Sequence, residues 1–243
     1  MSRWIRRHSI PWPTWRVWLP LMAVLALLIW SGFRGVYPFL ALVEPMPEAD
    51  LLVMEGWIPD YAVQACAEMF GGGGYRWICT TGVAVEVGAF FAEAGTYAGL
   101  GAATLRENGI AEDVLIVAHG PEVYRDRTYH SAVALRDELA SRGLLAETKG
   151  IQLISFGTHA RRSRNTFRAV FQPLGIAVKV ISIPTRGYDP ALWYRASGGV
   201  KAVLMELISL TYEAWAGPEP EAQAVGEWRV GSADSRRFTQ MRK

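Results

Sequence analysis

Several common catalytic signatures are missing from this chain. Its 243 residues contain no Gly-x-Ser-x-Gly elbow, no His-Glu-x-x-His helix and no Cys-x-x-Cys pair. The commonest hydrolase, metalloprotease and thiol-redox mechanisms are thereby set aside. Cysteine is scarce: Cys66 and Cys79 are too few for a disulfide scaffold and read as buried thiols, one in a helix and one in a strand, with a single bridge as the alternative. A strong charge of either sign is also lacking. The net charge of +2 and pI near 8.6 give no field that would draw nucleic acid, and no zinc-finger or RNA-binding signature occurs, so nucleic acid is not expected as a partner. The glycines Gly71 to Gly74 precede a strand instead of joining a strand to a helix, so they form no phosphate loop and read as a turn.

What is present begins with an anchor. The first sixteen residues carry Arg3, Arg6, Arg7 and Arg16 and no acid, and they run into an apolar stretch from Val17 to Phe33. That stretch is near the lower limit for a membrane span, about 17 to 25 residues. Arg34 interrupts it, apolar residues resume from Val36 to Val43, and Trp15, Trp18, Trp30 and Tyr37 are suited to the membrane–water interface. The competing reading is a cleaved signal peptide with its core at Leu21 to Trp30, but no small-x-small site follows before the linker EPMPEAD. Arginines ahead of the span predict a single pass with the N-terminus in the cytoplasm and the remainder outside.

From Asp50 onward short apolar strands alternate with helices. Strands are expected at DLLVME, YRWICTT, DVLIVA, Ile151 to Phe156 and AVKVISI, and helices at Ile58 to Phe70, about Phe91 to Asn108, Thr128 to Arg142 and after Thr158. Continuous apolar strands separated by helices predict a doubly wound, mostly parallel Rossmann-like α/β domain. The expected organisation is a basic flank over 1–16, anchor and linker over 17–43, the α/β domain over 44–217 and a mobile tail over 218–243. A last helix, about Val200 to Trp215, would close the sheet's flank through Val203, Leu204, Leu207 and Thr211; lying on the membrane is the disfavoured use, because Lys201 alone gives it little basic character.

Ligands of such sheets bind beyond the carboxyl ends of the strands. That rule places Glu55 and Gly56, Thr81 and Gly82, His119 and Gly120, and His159 on one rim. The stretch Ile151 to Phe167 carries the sharpest signal. Thr158 reads as a helix N-cap, yet the first turn beyond it holds Arg161, Arg162 and Arg164, cations placed at the positive end of the helix dipole. An anion would relieve that conflict, and a phosphate held by Arg162, His159 and backbone N–H groups fits. On the dipole argument alone, Arg162→Ala should leave the fold intact or slightly firmer.

These residues resemble the SanA/ElyC/YdcF family of bacterial proteins over about Asp50 to Ile183. The aspartate-led strand ending in glycine is Asp50 to Gly56, and His159 and Arg162 in SFGTHARR fall on the family's histidine and arginine. Thr128 falls on its threonine. The chain departs from the family with Thr81-Gly82-Val83 in place of Ser-Gly-Gly, Arg125 in place of serine and Ser131 in place of asparagine. Because several members are membrane-anchored and linked to envelope integrity or peptidoglycan-precursor metabolism, the resemblance implies the cell envelope; another member, connected with S-adenosylmethionine, implies a nucleotide-type binder as an alternative.

The resulting site has Glu55, His119 and His159 as candidate proton-transfer groups. Gly56, Thr81, Gly82, Asp126, Thr128, Arg161 and Arg162 are candidate ligand contacts. A divalent cation shared by Glu55, His119 and His159 lacks supporting ligand spacing, so no metal is assigned, and no cofactor is named. The expected ligand is a phosphate-bearing small molecule or lipid-linked envelope precursor, either turned over or only sensed, with the inner membrane as the other partner.

Overall fold

The computed structural model describes residues 15–86 and 95–216. The expected basic flank before residue 15 and mobile tail over 218–243 lie outside the described residues. Helix α1 runs Trp15–Leu40 and is long and apolar enough to cross a membrane. It is longer than the Val17 to Phe33 stretch because Arg34 and Gly35 are carried within the helix.

The α/β elements follow in strict alternation: β1 Leu51–Glu55, α2 Asp60–Gly71, β2 Trp77–Gly82, α3 Tyr97–Glu107, β3 Leu115–His119, α4 Arg127–Ser141, β4 Gly150–Phe156, α5 Ala160–Phe171 and β5 Ala177–Ile183. Helix α6, Ser197–Ala216, ends the described chain. The five strands form an all-parallel sheet in the order β3-β2-β1-β4-β5. Both faces are covered, so the strands are apolar throughout, and alternate residues feed two cores. Leu51 and Val53 pack with Leu135, Leu139, Phe167 and Phe171 of α4 and α5, whereas Leu52 and Met54 pack with Val63, Cys66 and Leu105 of α2 and α3. Cys66 and Cys79 thus lie in different cores as free thiols, and burial pushes the Cys66 thiol up to about 12.

The chain enters this sheet by an indirect route. After α1 the segment 42–44 runs antiparallel to β5, with Val43 opposite Ile181, Leu42 accepting from the Ser182 amide and Glu44 donating to the Val180 carbonyl. Met46 then donates its amide to Oε1 of Gln152 at 2.7 Å, and the Asp50 carboxylate accepts from the amides of Lys149 and Gly150. The aspartate that leads the first strand is therefore a clasp at the amino edge, opposite the rim. Helix α1 leaves the domain at the carboxyl edge.

Two local expectations are corrected. Thr158 is not an N-cap: residues Gly157–His159 form a 3-10 turn, His159 is already helical, and the Thr158 hydroxyl turns to the Ala202 carbonyl. A tight turn made possible by Gly157 at φ 51° takes up the reversal that a cap would have made. Helix α6 buries Val203, but Leu204 and Thr211 are exposed and close nothing. The chain divides into compact units Met1–Glu206 and Leu207–Lys243.

Candidate functional site

The strand order reverses between β1 and β4, where the connections leave in opposite directions and open a crevice at the carboxyl edge. A cleft of about 370 Å³ lies there, lined among others by Glu55, Thr81, Gly82, Asp126, Thr128, His159 and Arg162. Seven of the ten residues singled out from the sequence are thus brought together. Gly56, His119 and Arg161 are not among the lining residues. At Gly56 a Cβ would stand 2.1 Å from the Tyr97 carbonyl oxygen, so this glycine lets α3 approach β1. His119 is exposed and meets the Thr96 hydroxyl through Nδ1 at 2.8 Å. Arg161 donates to the Phe39 carbonyl and lies over the Phe39 ring, 3.8 Å from its centroid, at the end of α1.

Glu55 closes β1 with its carboxylate buried. Oε1 accepts from the Ser163 hydroxyl at 2.9 Å and Oε2 from the Ser155 hydroxyl, while Nε2 of His159 stands 3.7 Å from Oε1. Two hydroxyls and an imidazole therefore compensate a carboxylate that burial alone would make costly.

His159 faces a second carboxylate. Its Nδ1 lies 2.9 Å from Oε1 of Glu206 on α6 and 2.8 Å from an Nη of Arg162. Arg162 forks onto the same carboxylate, Nε to Oε2 at 2.8 Å and Nη2 to Oε1 at 3.2 Å. Burial pushes the Glu206 carboxyl up, but hydrogen bonds from His159 and Arg162, together with their charges, outweigh it and hold it down to about 2. The anion inferred from the arginine-rich helix start is thus supplied by the chain itself. Arg164 is likewise paired, with Glu44 at 2.6 Å.

The imidazole has two neutral forms with different uses. Protonated at Nδ1 it donates to Glu206 and offers Nε2 as a base; protonated at Nε2 it accepts from Arg162 and turns its proton toward Glu55. Trp57 stands edge-on to the ring, 5.2 Å between centroids.

The opposite wall is the start of α4. Asp126 there is the only non-glycine residue at positive φ among the described residues, φ 51° and ψ 34°, and its side chain makes no capping bond. The first turn of α4 carries no acid. This helix start borders the cleft without a bond from its N-cap side chain, with Arg127, which pairs with Glu86 at 3.2 Å, and Thr128 among the lining residues. Thr81 and Gly82 form the floor: the Thr81 hydroxyl donates to the Ser131 carbonyl at 2.7 Å, and a Cβ on Gly82 would stand 2.6 Å from that of Tyr97. Both serve packing first. Among the described residues no three metal-ligating side chains converge.

Glu206, Ser155, Ser163 and Trp57 escaped the sequence reading. Glu206 carried a usable signal, an acid flanked by apolar residues in a helix, available to an acid-free, arginine-rich helix start. The serines carried none. No protein-family model, curated protein or solved structure matches the chain.

Proposed function

We propose that this protein is a membrane-anchored extracytoplasmic enzyme of the bacterial envelope whose cleft acts on a phosphate-bearing intermediate, lipid-linked or nucleotide-linked, of peptidoglycan or a related glycan. The observation that carries the reading is His159 held between Glu206 and Glu55, at the switch point of a parallel sheet and opposite an uncapped helix start. His159 moves the proton, Glu55 receives or returns it, and the α4 amides with Thr128 hold the anion. Arg162, bound to Glu206, orients the histidine, so its role shifts from clamp to support. The left-handed Asp126 supports the same wall, since backbone strain of this kind recurs at binding sites. Kinship with the SanA/ElyC/YdcF family, proposed on Asp50 to Gly56, Thr128, His159 and Arg162, points to the envelope. The arginine flank ahead of α1 supports an N-terminus in the cytoplasm.

The test is product formation by the purified full-length protein from pyrophosphate-linked lipids, with and without a divalent metal. Wild type should release product and His159→Ala should not. A binding or regulatory module is the second reading, favoured by Gly56 and Gly82 serving packing and not ligand approach. Saturable binding without product, unchanged in Glu55→Gln, would establish that reading and reject the enzyme.

A further inference from the structure

Helix α6 carries apolar side chains on the side away from the domain and a carboxylate on the side toward it. The side turned toward the domain holds Gly199, Ala202, Val203 and Glu206, the last reaching His159 and Arg162. The outward stripe holds Lys201, Leu204 and Met205, with Leu204 and Met205 50% and 53% exposed. The part of α6 in the second unit exposes Ile208, Tyr212 and Trp215. A soluble helix would normally show its polar side to water.

The position of α1 says what covers that stripe. Phe33, the last residue of the uninterrupted apolar stretch, packs its ring 4.8 Å from Trp193 and 5.1 Å from Tyr194, just ahead of α6. Tyr37 and Leu40 are buried, and the Tyr37 hydroxyl lies 3.7 Å from where a Cβ on Gly157 would stand. The end of α1, the turn after β4 and the start of α6 therefore meet at one edge of the sheet, where α1 would emerge from a bilayer.

We propose that α6 is an interfacial helix whose outward stripe lies in the bilayer surface, between the sheet's carboxyl edge and the lipid. Lys201 reaches the headgroups, while Leu204 and Met205 enter the acyl boundary, a depth of about 5–10 Å for helices of this kind. This inference rests on reading α1 as a membrane span, and the test separates the two.

Nitroxide probes on single cysteines, in the full-length protein reconstituted into phosphatidylethanolamine–phosphatidylglycerol vesicles, report collision with oxygen in lipid or with a nickel chelate in water. Native Cys66 and Cys79 are fully buried, so they should take no label. Leu25→Cys reports the span. Leu174→Cys, 46% exposed at the amino edge, reports an apolar site away from lipid. Leu204→Cys and Met205→Cys should show an oxygen-to-nickel ratio several-fold above that of Leu174→Cys. Ratios equal to Leu174→Cys while Leu25→Cys reports lipid overturn the interfacial helix alone; water at Leu25→Cys as well overturns the span and the inference with it. Probes at 204 and 205 shielded from both reagents mean a protein covers the stripe, which also overturns it.

Discussion

Nε2 of His159 stands 3.7 Å from Oε1 of Glu55, one residue on the turn after β4 and the other at the end of β1, across the point where the strand order reverses. Neither strand alone makes a site. Their adjacency, enforced by the β1–β4 pairing, sets an imidazole beside a buried carboxylate, and Glu206 holds that imidazole through Nδ1.

Glu206→Gln should destabilise the fold by about 1–3 kcal/mol, because Arg162 and His159 lose the charge they face in a partly buried setting. Chemical denaturation measures it. A double-mutant cycle with Arg162→Ala should give a coupling of about 0.5–3 kcal/mol. Zero coupling would mean the fork between them carries no energy. The dipole expectation for Arg162→Ala is reversed here: the single mutant should melt below wild type, since it strands Glu206.

Acid should expose the same contact. The Glu206 carboxyl is held down to about 2 from an ordinary 4.5, so between those values the unfolded chain binds the extra proton. The contribution is complete above about pH 4.5 and disappears as pH falls through about 2. The melting-temperature difference between wild type and Glu206→Gln should therefore shrink as the pH falls below 4.5. A difference that grows on acidification would contradict the assignment.

Ser163→Ala removes one of two hydroxyl donors to a buried carboxylate and should cost about 1–3 kcal/mol. Combining it with Glu55→Gln should give less than the sum of the single effects, because the charge that needed the donor is gone. Additive losses would show that Ser163 acts through packing alone.

Gly56→Ala should lower stability by about 1–3 kcal/mol or more through overpacking against Tyr97, with no ligand present. If the mutant melts like wild type yet loses ligand binding, the glycine serves the ligand and not the α3 contact.

Much of the fold was legible because strand and helix periods differ. AVKVISI is β5 residue for residue, and Ala132, Leu135 and Leu139 form the buried stripe of α4 as their spacing indicated. The rim was legible too, since strand ends locate Glu55, Thr81 and His159 without knowing strand order. What was not legible depends on pairing across distance. The arginines announced an anion, but spacing along α5 cannot say whether it arrives from solvent or from Glu206, 44 residues beyond Arg162. Likewise the apolar residues Leu204 and Met205 of α6 read as core until their exposure is seen.

The antiparallel run of residues 42–44 along β5 has a mechanical consequence. A flexible tether of ten residues would let a domain sample a hemisphere of about 15–20 Å radius. Here backbone bonds to Val180 and Ser182, then Met46 to Gln152, leave almost no slack between α1 and β1. The connection is a bracket, and the packing of Phe33 on Trp193 and of Phe39 under Arg161 tightens it, so whatever plane holds α1 sets the height and tilt of the cleft.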